Sequence, residues 1–361
     1  MTSAVAAPAY DSSKANLFAQ QEANRKASRR LVAGLILFLA WLGFGGDFIW
    51  YLASRNQAEP GTLTGVHIFP GLGLFLLLVA SVVAWWGYNF GATSLVKATG
   101  AREIITPETD QERQLVNVVE EMAIAAGGTK PHIWLVPDAA PNAFATGIHT
   151  EDAHLAVTQG LLDTLNREQL QAVVAHEMGH IVNLDVRLMT LLTALVGVVA
   201  LIHNSAFRLM RFGGSGGSRS SGRKKDDGMG VLVIVLLVLW VISWIIAPLV
   251  TRFMAMKVGR SREFLADTMS AQFTRNPAAL ADALTKIGES TVQPKMIPKS
   301  SAQLCIADPF HSSWGDREGR FADLMATHPP LQERVRRLRE MAYQNAGTAD
   351  SFQSPLSMSE A

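Results

Sequence analysis

The hydrophobic residues of this chain are concentrated in long runs. The first run covers residues 31–53 and the second residues 69–90, and Asp47 is the one charged residue in either run. At a rise of about 1.5 Å per residue, each run can cross about 30 Å of hydrocarbon. We therefore predict two transmembrane helices that stay in the protein as anchors, because no signal-peptide pattern precedes them. Asp47, close to an aromatic end of its run, is expected at the membrane interface.

Two more apolar runs follow later, at residues 188–202 and 231–250, and a basic Gly/Ser-rich linker at 208–228 separates them. The chain on both sides of this pair carries motifs that must share one compartment. Either both runs cross the membrane or neither does. The first run has about 15 residues, which is short for a span, so a re-entrant pair remains an alternative to two crossings.

The distribution of basic residues predicts the orientation of the first two spans. The basic residues before the first run are Lys14, Arg25, Lys26, Arg29 and Arg30. The connector between the two runs carries Arg55 against Glu59. Since basic flanks stay in the cytosol, the N-terminus and everything from residue 99 to the third run are predicted to be cytosolic. The basic linker would also prefer the cytosol, whereas a crossing by residues 188–202 would place it outside, so these two signals conflict.

Between and after these runs the sequence is typical of a globular protein. A helix is predicted over residues 110–126, ending at Gly127-Gly128, and strands at 133–136 and 155–158. Asn166 is a candidate cap for the next helix. The fold class is therefore mainly α with a small β-sheet, in a multi-span membrane protein with a cytosolic globular domain. The predicted organisation is a polar extension (1–30), two spans (31–98), a first domain part (99–187), the apolar pair (188–250), a second domain part (251–343) and a disordered tail (344–361).

Composition excludes some classes of function. The net charge is +1, and the basic residues flank apolar runs, so we expect the bilayer as a partner and no nucleic acid. The single cysteine, Cys305, cannot form an internal disulfide, which is compatible with the cytosol. Nothing in the sequence defines an oligomeric state.

The strongest chemical motif is His176-Glu177-Met178-Gly179-His180. Residues four apart share a helix face, so both imidazoles can bind one Zn²⁺ at about 2.0–2.1 Å. Glu177 lies beside the metal and could take a proton from the attacking water. The alternative is a chance occurrence of the pattern on an ordinary helix.

A catalytic zinc usually has three protein ligands, so a third is needed. Glu263 and Asp267 are again four apart on a predicted helix. Glu263 could bind the metal while Asp267 accepts the free ring N–H of a ligand histidine. By spacing alone, an ordinary solvated helix end with charged residues is an equal alternative.

The sequence resembles the HtpX-like membrane zinc metalloproteases, which are related to the CAAX prenyl proteases. The resemblance covers residues 30–340 and rests on four motifs. These are the HExxH motif, Asn142-Ala143-Phe144-Ala145-Thr146-Gly147, Arg262-Glu263 with Ala266-Asp267, and Thr327-His328-Pro329-Pro330 followed by Arg334. It implies a cytosolic gluzincin-type zinc metalloprotease domain, in which His176, His180 and Glu263 bind zinc and Glu177 is the catalytic base.

The resemblance also implies further roles. The segment 142–147 looks like a substrate-binding strand whose exposed backbone would pair with an extended peptide. His328 would donate a hydrogen bond to the tetrahedral oxyanion, and Arg334 would support it. A plain loop before a helix over 331–341 is the alternative for the His328 segment. The long N-terminal extension and the basic linker depart from the family pattern, and neither is expected to touch the metal ligands.

These observations favour a zinc endopeptidase that hydrolyses membrane or misfolded proteins on the cytosolic side of a bacterial inner membrane. The resemblance implies protein quality control and a stress response. A CAAX-type prenyl-protein protease is the closer alternative. A site-2 type intramembrane protease is disfavoured because Asn183, Asp185 and Arg187 follow the motif directly. A membrane scaffold with a structural zinc is disfavoured because such sites are rich in cysteine.

Overall fold

A computed structural model describes residues 17–57, 66–191, 193, 234, 238, 240–242, 262–298, 301, 304–307 and 329–352. The helices are α1 (Leu17–Gln57), α2 (Gly71–Lys97), α3 (Asp110–Ala126), α4 (Gln159–Thr164), α5 (Arg167–Val182), α6 (262–274, as far as described), α7 (Pro277–Glu289) and α8 (Leu331–Phe352). The strands are β1 (Arg102–Glu103), β2 (His132–Val136), β3 (Ala143–Thr146) and β4 (His154–Thr158). The predicted class, mainly α with a small sheet, is confirmed.

Helices α1 and α2 contain the two predicted spans. Gln21–Arg55 and Gly71–Lys97 are each long and apolar enough to cross a membrane. Their apolar side chains point away from the protein: Leu37 is 70% exposed, Phe75 60% and Leu78 63%. Such a continuous apolar surface is unfavourable in water and suits contact with lipid.

The two membrane helices meet where their backbones can approach closely. A Cβ atom on Gly43 would lie 2.6 Å from the Cα of Gly73, so a side chain at Gly43 would clash with α2. Asp47 lies nearby and accepts hydrogen bonds from the backbone N–H of Gly73 (2.6 Å) and from Nε2 of His67 (2.9 Å). Its carboxylate therefore caps the start of α2 and holds the connector between the helices.

The sheet is mixed, with the strand order β1-β2-β4-β3. Strand β4 pairs parallel with β2 and antiparallel with β3, which makes β3 an edge strand. Every residue of β4 is buried. A strand covered on both faces has apolar residues at successive positions, which explains why its alternation in the sequence is weak.

Helix α5 lies at the centre of the globular part, in contact with α3, α7 and β3. The core joins side chains from α3, β4, α5, α7 and α8, among them Leu115, Leu155, Val173, Leu284 and Leu338. The helix begins as predicted: the Asn166 side chain accepts from Gln169 N, and the Gln169 side chain bonds the Asn166 backbone N–H. This capping box fixes where the helix that carries His176 begins.

The ends of two elements differ from the predictions. Helix α8 continues to Phe352, so residues 344–352 are helical and the prediction of a disordered tail from residue 344 is wrong for them. Once a helix is nucleated, each added residue costs little, and polar residues can extend it. Residues 17–30 of the predicted extension are likewise the first turns of α1.

Most of the later apolar pair lies outside the described residues, as does the linker at 208–228. Trp240 of the second run is described, and its indole N–H donates to the carbonyl of Leu42 on α1 at 2.8 Å. Part of this run therefore packs against the first membrane helix.

Candidate metal centre and active site

The structure brings His176, His180 and Glu263 together. One ligand atom from each lies within 4.8 Å of the other two. The two Nε2 atoms are 3.2 Å apart. The Glu263 carboxylate lies 3.5 Å from Nε2 of His176 and 3.6 Å from Nε2 of His180. Two imidazole nitrogens and one carboxylate oxygen thus face a common point, which is a donor set that suits zinc.

Each histidine has a carboxylate beside its other ring nitrogen. Nδ1 of His176 lies 3.0 Å from Oδ1 of Asp267, the residue for which the sequence predicted this role. Nδ1 of His180 lies 3.2 Å from Oδ2 of Asp185. A proton held on Nδ1 by a carboxylate leaves the Nε2 lone pair for a metal and fixes the orientation of the ring.

Sequence reasoning missed Asp185 because it lies beyond the end of α5. The chain turns after Asn183, and Leu184 adopts a left-handed conformation with φ 58°. This conformation costs a leucine about 1–2 kcal/mol, and it belongs to the turn that brings Asp185 back toward His180. An acid five residues after a ligand histidine, close to a helix end, is the signal that could have identified it.

Arg334 from α8 lies under this group and is fully buried. Its guanidinium donates two hydrogen bonds to Asp267, at 2.9 and 2.7 Å, and one to the carbonyl of Ile306 at 2.7 Å. It also lies 3.1 Å from the Glu263 carboxylate. Burial alone would raise the pKa of Asp267, but the charge of Arg334 and the hydrogen bonds from His176 and Arg334 together outweigh burial and lower that pKa. Arg334 thus keeps Asp267 ionised where it holds His176.

The charges around the site fit a divalent cation. Four buried carboxylates, of Glu177, Asp185, Glu263 and Asp267, surround the two histidines. Two arginines face them, the fully buried Arg334 and the partly buried Arg262. With all four carboxylates ionised and both imidazoles neutral, as metal binding requires, the carboxylates exceed the arginines by two negative charges, which a Zn²⁺ ion would balance.

His176 and Glu177 both have raised pKa values. Burial would lower the pKa of His176, but hydrogen bonds from its ring to Asp267 and Glu263 raise it to about 9. Burial raises the pKa of Glu177, which is 1% exposed. The Glu177 carboxylate is therefore a stronger base than an ordinary glutamate, as a proton acceptor in catalysis should be.

The predicted substrate strand, Asn142 to Gly147, forms β3 and its flanks at the sheet edge. Its backbone is not fully exposed, however. Phe144 forms a bridge with Cys305, and Ile306 N donates to Ala143 O at 2.9 Å. The Asn142 amide donates to Ala307 O at 3.1 Å. A buried segment of the chain, 304–307, thus lies along the first half of the edge, so the expectation of an open strand is wrong there.

His328, for which the resemblance implied an oxyanion contact, lies outside the described residues. Arg334, its expected companion, lies at the metal-ligand group as described above.

Two histidines one turn apart, a glutamate from a second helix and the buried Glu177 are the arrangement that defines HExxH metallopeptidases. The chain belongs to peptidase family M48, whose family model matches residues 109–342. It is a membrane-bound metalloprotease that hydrolyses peptide bonds.

Individual relatives match over nearly the whole chain. A Protease HtpX homolog of Streptococcus gordonii is 35% identical over 326 residues, covering 90% of this chain and 100% of the relative. The Protease HtpX homolog of Tropheryma whipplei is 36% identical over 319 residues, covering 88% and 98%. Among solved structures, the crystal structure of S. mikatae Ste24p matches with a TM-score of 0.42 and 17% identity, covering 84% of this chain and 64% of that one.

Proposed function

We propose that this protein is a zinc-dependent endopeptidase in which His176, His180 and Glu263 bind the metal and Glu177 is the general base. The observation that carries the proposal is the convergence of the three donor atoms within 4.8 Å, next to a buried glutamate. The surplus of two buried negative charges supports a divalent cation at this point.

Bound zinc would supply Lewis acidity, which polarises the peptide carbonyl and makes water easier to deprotonate. Glu177 takes the proton from the attacking water and then gives it to the leaving amine. Asp267 and Asp185 orient the two imidazoles, while Arg334 keeps Asp267 ionised and holds the Glu263 carboxylate at 3.1 Å. His328, by resemblance, stabilises the oxyanion.

Substrate binding by strand addition at β3 remains part of the proposal. Residues 304–306 already pair with Ala143 and Phe144, and Ala145 and Thr146 are also buried. An extended peptide would therefore have to displace residues 304–306 to pair with β3.

The site lies close to the membrane surface. Helix α1 contacts the end of α5 through Asn24 and enters its apolar run at Leu31, seven residues later. At 1.5 Å per residue this separation is about 10 Å. With the basic flank of α1 in the cytosol, a site at this distance favours membrane proteins and misfolded chains at the cytosolic face as substrates. Protein quality control at a bacterial inner membrane is the role that this placement supports.

The test replaces Glu177 with Gln in the detergent-solubilised protein and follows bound zinc and cleavage of an unfolded protein. Removing the base without removing a ligand should leave about one zinc per chain and lower the cleavage rate by a factor of about 10²–10⁴. Glu168→Gln is the matched control, since Glu168 is an exposed glutamate on the same helix. This variant should cleave the substrate at the wild-type rate.

Retained zinc with undiminished cleavage by Glu177→Gln would refute the base assignment. A wild-type chain that binds no zinc would refute the metal site. Cleavage restricted to prenylated C-terminal peptides would favour the CAAX-type alternative over a general endopeptidase.

A further inference from the structure

The first membrane helix begins well before its apolar run, and its first turns lie beside the candidate metal centre. Before the apolar run begins at Leu31, α1 carries Gln21 and Asn24, which face the end of α5. Gln21 donates to the carbonyl of Val182 at 2.8 Å. Asn24 is 3% exposed, although the helix around it is rich in charged, exposed residues. Burial of a single amide on such a helix points to a specific set of partners.

The Asn24 amide bonds three groups at once. Its Nδ2 donates to the carbonyl of Asn183 at 2.7 Å and to Oδ1 of Asp185 at 2.8 Å. Its Oδ1 accepts from the guanidinium of Arg262 at 2.7 Å. Both amide hydrogens and the carbonyl oxygen therefore have partners, so neither a carboxylate nor an aliphatic side chain could reproduce the set.

These partners lie directly after α5 and at the start of the described part of α6, the two helices that carry the metal ligands. Asp185 holds Nδ1 of His180 through its other oxygen, at 3.2 Å. Arg262 directly precedes Glu263 and also lies 3.4 Å from Asp185. Asn24 therefore connects Asp185, which holds His180, to Arg262, which precedes the third ligand. Asp185 and Arg262 are far apart in sequence.

We propose that Asn24 is a positioning residue for the metal centre, which makes metal affinity depend on the cytosolic end of the first membrane helix. The proposal rests on the proposed function. Without the Asn24 donor, the Asp185 carboxylate loses one of the bonds that fix its orientation, and the His180 ring is less well placed. Without the Asn24 acceptor, Arg262 loses a partner beside Glu263. The N-terminal extension would then affect the ligands through Asp185 and Arg262 without touching them.

A purely structural role would be to attach α1 to the globular part. Gln21 makes this kind of attachment, because it bonds a backbone carbonyl of α5 without touching Asp185 or Arg262. The two residues lie on the same helix within one turn, so Gln21→Ala is a matched control for the loss of one inter-helix hydrogen bond.

The experiment uses the full-length protein in detergent and measures the zinc dissociation constant by competition with a chelator. We expect Asn24→Ala to weaken zinc binding about tenfold, the lower end of the range for residues that orient metal ligands. Asn24→Asp should weaken it further, because a second carboxylate would then face Asp185 at the present 2.8 Å contact. Gln21→Ala should bind zinc as the wild type does, with at most a lower melting temperature.

Two further measurements separate positioning from folding. The visible spectrum of the Co²⁺-substituted protein reports ligand geometry and should change in Asn24→Ala but not in Gln21→Ala. A double-mutant cycle with Asp185→Asn tests the route: if Asn24 acts through Asp185, the double variant loses little more affinity than Asp185→Asn alone. Asn24→Ser replaces Asn24→Ala if the alanine variant loses its helical circular dichroism.

Wild-type zinc affinity and an unchanged Co²⁺ spectrum in folded Asn24 variants would overturn the proposal, as would equal losses in Gln21→Ala or additive losses in the cycle. These outcomes leave the proposed function standing if the wild type binds zinc. Absence of zinc binding by the wild type is the separate result that refutes the proposed function.

Discussion

At the residue scale, the buried charged groups of the candidate site form hydrogen bonds and ion pairs with one another instead of with water. Arg334 is fully buried, and all three nitrogens of its guanidinium form hydrogen bonds: Nε and one terminal nitrogen bind Asp267, and the other terminal nitrogen binds the Ile306 carbonyl. A lysine at this position would supply the charge without this fork of donors. The position therefore depends on the geometry of arginine as well as on its charge.

Glu112 offers a test of buried charge away from the metal. Its covered carboxylate accepts from Glu108 N at 2.9 Å and from Arg102 at 2.7 Å, joining α3 to β1. The bond from Glu108 and then that from Arg102 lower its pKa, although burial opposes them. A lowered pKa in the folded state stabilises the fold above the unfolded value of about 4.3, and this contribution is lost as the pH falls through the folded value.

We therefore expect Glu112→Gln to lower the melting temperature at pH 7 by a few degrees and to flatten its decline between pH 5 and about pH 3. Thermal unfolding in detergent across this range measures both effects. Glu120→Gln, on the exposed side of the same helix, should follow the wild-type curve. A Glu112→Gln curve parallel to the wild type at every pH would contradict the assignment.

Individual site residues were predictable where a helix repeat relates them. The spacing of four between Glu263 and Asp267 predicts that both face one way, and the structure places both at His176. Asp185 and Asn24 follow no such repeat. Asp185 depends on the turn at Leu184, and Asn24 contacts residues about 160 positions away, which no local pattern can indicate.

At the element scale, α1 has two functions in one continuous helix. Its first turns contact the metal centre, and its later turns form a membrane hairpin with α2. The sequence predicted the apolar part from hydropathy, but it did not predict that the polar part continues the same helix. The start of α5 was predictable because a capping box is a local signal, whereas the end of α8 has no comparable stop.

The close contact of the hairpin can be tested at Gly43. A leucine there would place its Cβ 2.6 Å from the Gly73 backbone, so α1 and α2 must separate. We expect Gly43→Leu to destabilise the detergent-solubilised protein by about 1–3 kcal/mol, measured by thermal unfolding. Gly34→Leu is the matched control, because a Cβ on Gly34 has no neighbour within 4 Å among the described residues. Equal stability of the two variants would show that the hairpin does not pack as described.

At the scale of the whole molecule, the contact of Trp240 with Leu42 bears on the later apolar pair. Leu42 lies eleven residues beyond Leu31, which at 1.5 Å per residue is about 16 Å into α1 and near the middle of a hydrocarbon core of about 30 Å. A run that reaches this depth beside α1 is better suited to a membrane span than to a surface position. Since both runs of the pair cross or neither does, residues 188–202 should cross as well.

This topology predicts which segments face the outside. In a Cys305→Ser background, which removes the chain's single native thiol, cysteines are placed one at a time at Glu22, in the connector at Gly61 and in the linker at Ser218. In intact cells, a membrane-impermeant maleimide should label the Gly61 and Ser218 positions, whereas Glu22 should need permeabilised cells. Labelling at Gly61 without labelling at Ser218 would mean that the pair is re-entrant and that the basic linker stays in the cytosol, as its charge alone would favour.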